Sequence, residues 1–191
     1  MLYRGVRQQV AKHLAAQCAA ELVPLFPLGS EPGNIEWEVG TLRPGDTSKT
    51  PLAANERFLS AVTRVWDDHC ACMSKLRDVL KYVDRVYVPN QRVAPIWELG
   101  LEVFRDTVVL QPACRTNLLV MMLRQIHSER EGASVERRTL KAVADMLLAL
   151  GTGSDRDGTA TVYARDFEPL LLSTSAEYYA AEALRLLATR Q

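Results

Sequence analysis

Apolar positions recur in steps of three and four along most of the chain, which predicts helices nearly throughout. Leu2, Val6, Val10, Leu14, Cys18 and Leu22 form one stripe spaced every four residues. Good helix formers fill the gaps, so a helix is expected from Leu2 to Val23, stopped by Pro24 and Pro27. A second runs from Leu52 to about Met73 on Phe58, Val62, Val65 and Trp66. Ser74 to Val88 reads as a third helix, or a continuation after a bend, with Ser74 as its cap and a turn over Pro89 to Arg92. A fourth starts at Val93 or Pro95, turns Ile96, Leu99, Val103 and Phe104 inward, and ends near Pro112. The fifth spans Ala113 to Glu131 and stops at Gly132. Ser134 is placed to cap a sixth, Val135 to Leu150, which Gly151 terminates. After a loop to Thr159, Val162 to Gln191 is helical at both ends, with a break near Pro169.

The stretch from Pro27 to Pro51 departs from this pattern. It holds Gly29, Pro32, Gly33, Gly40, Pro44 and Gly45 and shows little periodicity, so it reads as an insertion between two helices. Ile35, Trp37 and Val39 alternate with acidic residues, which fits a short extended piece or, preferably, a surface loop. The expected fold class is all-α, built of antiparallel helical bundles.

Composition narrows the function. Apolar residues make up 48% of the 191, ordinary for a folded chain. Lysine plus arginine equals aspartate plus glutamate at 23 each, so no overall basic field favours nucleic acid or an anionic membrane. The longest apolar runs, Leu118 to Leu123 and Met146 to Leu150, fall far below the roughly 20 residues of a membrane span. The N-terminus lacks the layout of a secretory signal. The expectation is an intracellular protein, in cytoplasm or nucleus, with Cys18, Cys70, Cys72 and Cys114 as reduced thiols.

Candidate chemistry is sparse. His69-Cys70-Ala71-Cys72 superficially suggests a metal site, and with Asp67 and Asp68 it defines a remote alternative, a small helical metal enzyme. No second ligand pair has suitable spacing. Asp155-Arg156-Asp157-Gly158 lacks the remaining ligands and the closing glutamate of a calcium loop. Gly151-Thr152-Gly153 lacks the lysine of a phosphate loop. No nucleophile–base pair, cofactor motif or metal set emerges, so an enzyme is not expected.

The informative segment is Ser74 to Val88. At about 100° per residue, Leu76, Val79, Leu80, Val83, Val86 and Tyr87 gather on one expected core face. Asp78, Lys81 and Arg85 lie opposite, and Tyr82 sits at the edge of the polar side. Tyrosine and arginine often anchor protein interfaces, and these two are helical neighbours. Spacing alone equally allows Tyr82 on the domain's own surface and Arg85 paired with an acidic neighbour.

Several ordered runs resemble the N-terminal region of cullins. They are Leu2-Tyr3, Trp66-Asp67-Asp68-His69, Met73, and Arg77 to Val88. Leu99-Gly100-Leu101 with Phe104-Arg105-Asp106 follows, then Ile126 with Glu129-Arg130 and Gly132. Leu147, Leu150-Gly151, Val162-Tyr163, Asp166-Phe167-Glu168, Leu172 and Ser175-Ala176-Glu177-Tyr178-Tyr179 complete the set. Tyr82 with Asp84-Arg85, Tyr87-Val88 and Ser175-Ala176-Glu177 favour the cullin-3 branch over the branch serving F-box adaptors. The resemblance implies a non-catalytic scaffold of a ubiquitin ligase, made of five-helix repeats, whose first repeat docks a BTB-domain substrate adaptor through its second and fifth helices. Ser74 to Val88 matches the fifth. Tyr82 and Arg85 match adaptor-contacting positions, and with Asp78 and Lys81 on the polar side they are the candidate adaptor-binding residues.

The resemblance also divides the chain into 1–88, a partial first repeat carrying the 27–51 insertion, and 93–191, a second repeat. Met1-Leu2-Tyr3 matches the start of a third helix, so the first two helices of that repeat, with half the adaptor surface, are expected to be missing. The region that recruits a RING-box protein and accepts a ubiquitin-like modifier is likewise expected to be absent. Alternatives are a module for an F-box-type adaptor and a piece without function by itself.

Overall fold

The computed structural model describes residues 2–29, 31, 34–40, 42, 52–152 and 160–188. Much of the expected 27–51 insertion, the 155–158 turn and the last three residues lie outside the described residues. The fold is all-α. Its helices are α1 (Leu2–Gln17), α2 (Ile35–Gly40), α3 (Leu52–Val79), α4 (Val88–Gln91), α5 (Ile96–Phe104), α6 (Pro112–Arg130), α7 (Arg137–Ala149) and α8 (Glu168–Ala188). The described residues form no strand, only an isolated bridge between Gly151 and Thr161. None of the described helices is long and apolar enough to cross a membrane.

One continuous core joins the helices. Leu14, Cys18 and Leu22 from α1 and its extension meet Phe58, Leu59, Val62 and Val65 of α3, and these meet Leu99, Phe104 and Leu118 to Leu123. α3 packs on α5, α6 and α7. Its approach to α5 is close because Gly100 has no side chain: a Cβ there would lie 2.7 Å from Met73 Cε and Cγ.

Among the described residues, four π-helical turns, in which an amide bonds the carbonyl five residues back, interrupt the helical runs: Cys18–Leu22, Val83–Tyr87, Arg105–Val109 and Tyr163–Phe167. Each widens the helix, and the last three reset the buried stripe. Val83 is followed inward by Val88, Val103 and Phe104 by Val108 and Val109, and Val162 by Phe167, all steps of five. A fixed projection at about 100° per residue misplaces side chains beyond such a turn.

That reset, with a turn at Leu80, corrects the expected third helix. α3 runs unbroken through Ser74, which therefore caps nothing. Of the expected core face, Val83 is buried and Leu76 and Leu80 pack against the core, whereas Val79, Val86 and Tyr87 are exposed. Pro89 lies inside α4, where the wide turn tolerates its missing amide, and the helix ends on Arg92 at φ 50°. The cap of α7 is likewise Glu136, which accepts from the Arg138 amide, not Ser134.

The piece over Ile35 to Val39 is neither an extended segment nor a loop. It is α2, with Ile35 and Val39 one turn apart on the side packed toward the core. α2 lies against α6, and Arg124 of α6 pairs with Glu38 at 2.7 Å, both largely buried. Asn117 holds the chain just before it. Its Oδ1 accepts from the Leu28 amide at 2.9 Å, and its Nδ2 donates to Gly29 O at 3.1 Å and Ala113 O at 2.9 Å. This covering explains why α6 is buried on nearly every side, polar Asn117 and Gln125 included.

Candidate docking surface

The ridge singled out in the sequence emerges at the end of α3 and the π-helical turn after it. Val79 is 80% exposed and Tyr82 75% exposed, with Val86 and Tyr87 beside them. Asp78, Lys81 and Arg85 are all exposed. Lys81 Nζ lies 3.7 Å from Asp78 Oδ1, and Arg77 also reaches Asp78, at 3.8 Å. Among the described residues no carboxylate reaches ion-pair distance of Arg85. The surface is a strip of Tyr82, Tyr87, Val79 and Val86 flanked by charges, and its tyrosines and Arg85 are of the types enriched at protein interfaces.

Sequence reasoning missed Val79 and Val86 as members of this surface because it assigned them to the core. For Val86 the signal is Pro89, which marks a departure from regular helix geometry just after it; Val79 lies in regular α3 at the edge of the apolar arc. It also missed the anchorage behind the ridge. Tyr3 of α1 stacks on Tyr87 at 5.8 Å between ring centroids and donates to Ala94 O at 2.7 Å. Burial raises the pKa of Tyr3, with nearby Glu102 adding to the effect, so the hydroxyl stays a donor. Asp84 accepts from the Ile96 amide.

The remote metal alternative finds no assembled site. His69 is buried, its Nε2 is 3.0 Å from Gly100 O, and its ring packs near Trp66 and Phe104. Cys72, Asp67 and Asp68 are exposed instead of converging on it. Among the described residues no group of three or more histidine, cysteine or acidic side chains is placed to hold a metal. All four cysteines are unpaired. Burial, with nearby Asp67, pushes the Cys70 thiol up to about 11, and burial also raises Cys18 and Cys114, so these three are unreactive as thiolates.

An all-α chain with one continuous core, an exposed apolar ridge and no metal-ligand cluster among the described residues has the features of a helical scaffold module. The family model described as the cullin alpha solenoid domain matches residues 1–191, and the chain belongs to the cullin family. It is similar to Cullin-3B of Arabidopsis thaliana, 35% identical over 130 residues, covering 68% of this chain and 17% of that protein. It is also similar to Cullin-3 of Dictyostelium discoideum, 38% identical over 127 residues, covering 66% of this chain and 16% of that protein. Cullin-3 of Caenorhabditis elegans is 34% identical over 123 residues, covering 64% and 15%. The matched part is thus about a sixth of each relative's length.

Proposed function

We propose that this chain is a non-catalytic scaffold module of a cullin-type ubiquitin ligase and that it docks a BTB-domain substrate adaptor through Tyr82 and Arg85, with Asp78 and Lys81 at the rim. The observation that carries this reading is the exposed ridge of Val79, Tyr82 and Val86 beside Arg85, which no carboxylate among the described residues pairs, in a chain whose relatives are cullin-3 proteins. Tyr82 supplies rigid apolar area with a polar tip, and Arg85 supplies a fork of donors for a carboxylate. In this reading a RING-box protein and a ubiquitin-like modifier belong to other parts of the ligase scaffold. The protein works inside the cell, on protein partners rather than nucleic acid or membrane.

Calorimetric titration with a purified BTB-domain protein tests this. Tyr82→Ala is expected to cost about 1–3 kcal/mol of binding. Unchanged affinity in that variant removes Tyr82 from the interface. A parallel titration with an F-box-type adaptor separates the two adaptor classes, and preference for the latter overturns the assignment.

A further inference from the structure

We propose that Asp84 is a positioning residue for this ridge: its carboxylate caps α5 from a different helical segment and thereby fixes the turn that follows Tyr82 and carries Arg85. The inference rests on the docking reading above for its functional half. α5 begins at Ile96 behind Pro95, and Pro95 makes no side-chain cap bond because it has no acceptor to offer. The first amides of a helix have no partner within it, and a buried one needs a partner elsewhere. Ile96 is 0% exposed, so water does not serve it. Asp84 Oδ1 accepts from the Ile96 amide at 2.9 Å. A carboxylate at that end of α5 is also favoured by the helix dipole.

The position of the cap matters. Asp84 lies within the π-helical turn Val83–Tyr87, between Tyr82 and Arg85. Among the described residues it forms no ion pair, so the Ile96 amide is the group its carboxylate holds. The four-residue connection before α5 is also held by Tyr3, through Ala94 O. The orientation of the ridge is therefore tied to α5 and not left to the wide turn alone.

Asp84→Ala and Asp84→Asn test this in the full chain. Amide exchange at Ile96 and residues 82–88 reports positioning without any partner. Titration with a purified BTB-domain protein reports docking. In the alanine variant, Ile96 is expected to exchange about fivefold faster, the factor lost with a typical helix cap. Kd is expected to rise about fivefold if the ridge keeps its docking orientation only about a fifth of the time. Asparagine retains an acceptor oxygen and is expected to restore both. Unchanged exchange at Ile96 in the alanine variant overturns the cap. Faster exchange with unchanged Kd overturns the positioning role. If the unsubstituted chain does not bind but exchange responds as expected, the structural tie stands and the docking reading falls.

Discussion

His69 shows how one side chain serves packing and pH dependence together. Its ring fills the contact between α3 and α5, and its Nε2 bonds Gly100 O. Burial lowers its pKa, and the hydrogen bond to Gly100 offsets only part of that. The folded state therefore favours the neutral ring, whereas the unfolded chain takes up a proton near about pH 6.5. The sign follows: the contribution is complete above the unfolded value and is lost as pH falls below it. Urea unfolding at pH 7.5 and 5.5 should show lower stability at the acid pH, by at most about 1.4 kcal/mol per pH unit for one proton. His69→Gln should flatten that dependence. A slope unaffected by the substitution assigns the acid sensitivity to another group.

At the scale of elements, periodicity made most helices legible. The stripe from Leu14 to Leu22 and the inward set Ile96, Leu99, Val103 and Phe104 are buried as their spacing required. Helix interiors were less legible where a π-helical turn shifts the count, as at Val86; Val79 lies before that turn in regular α3, at the edge of the projected apolar arc, and is exposed there. α2 was illegible for another reason. Six residues in a Gly- and Pro-rich stretch carry too weak a local preference to specify a helix, and contact with α6 decides it. Within the candidate site, Tyr82 and Arg85 were readable as exposed helix residues. The part played by Asp84 was not, because its partner amide is twelve residues away across a turn. The α2–α6 contact yields its own prediction. Glu38→Gln should lower stability by about 1–3 kcal/mol, since Arg124 stays largely buried without its carboxylate. A denaturation cycle pairing it with Arg124→Met should show coupling; additive losses would mean that the ion pair contributes nothing of its own.

Across the described residues, large exposed apolar side chains cluster at two places, apart from single residues such as Leu2 and Leu148, while the formal net charge is zero. One is the ridge at Tyr82. The other is the outer face of α8, with Leu172, Tyr179, Leu184, Leu186 and Leu187 exposed. Uncovered apolar area on an uncharged chain promotes association. Light scattering should show self-association increasing with concentration and strongest near the sequence pI of about 6.8. Leu184→Lys with Leu187→Glu should reduce it while leaving net charge unchanged; undiminished scattering would shift the cause away from α8. The wide turns add a constraint of a different kind, on which changes of length the chain tolerates. A residue lost from a surface loop leaves the neighbouring helices in phase. A residue lost between Val83 and Val88 would return the turn to α geometry and rotate the segments on either side by roughly 100° relative to each other. Tyr82 would then swing around the helix axis although no contact of its own had been altered. The angular relation between the exposed ridge and the core is thus encoded by counting residues, and a one-residue deletion there is a change of direction.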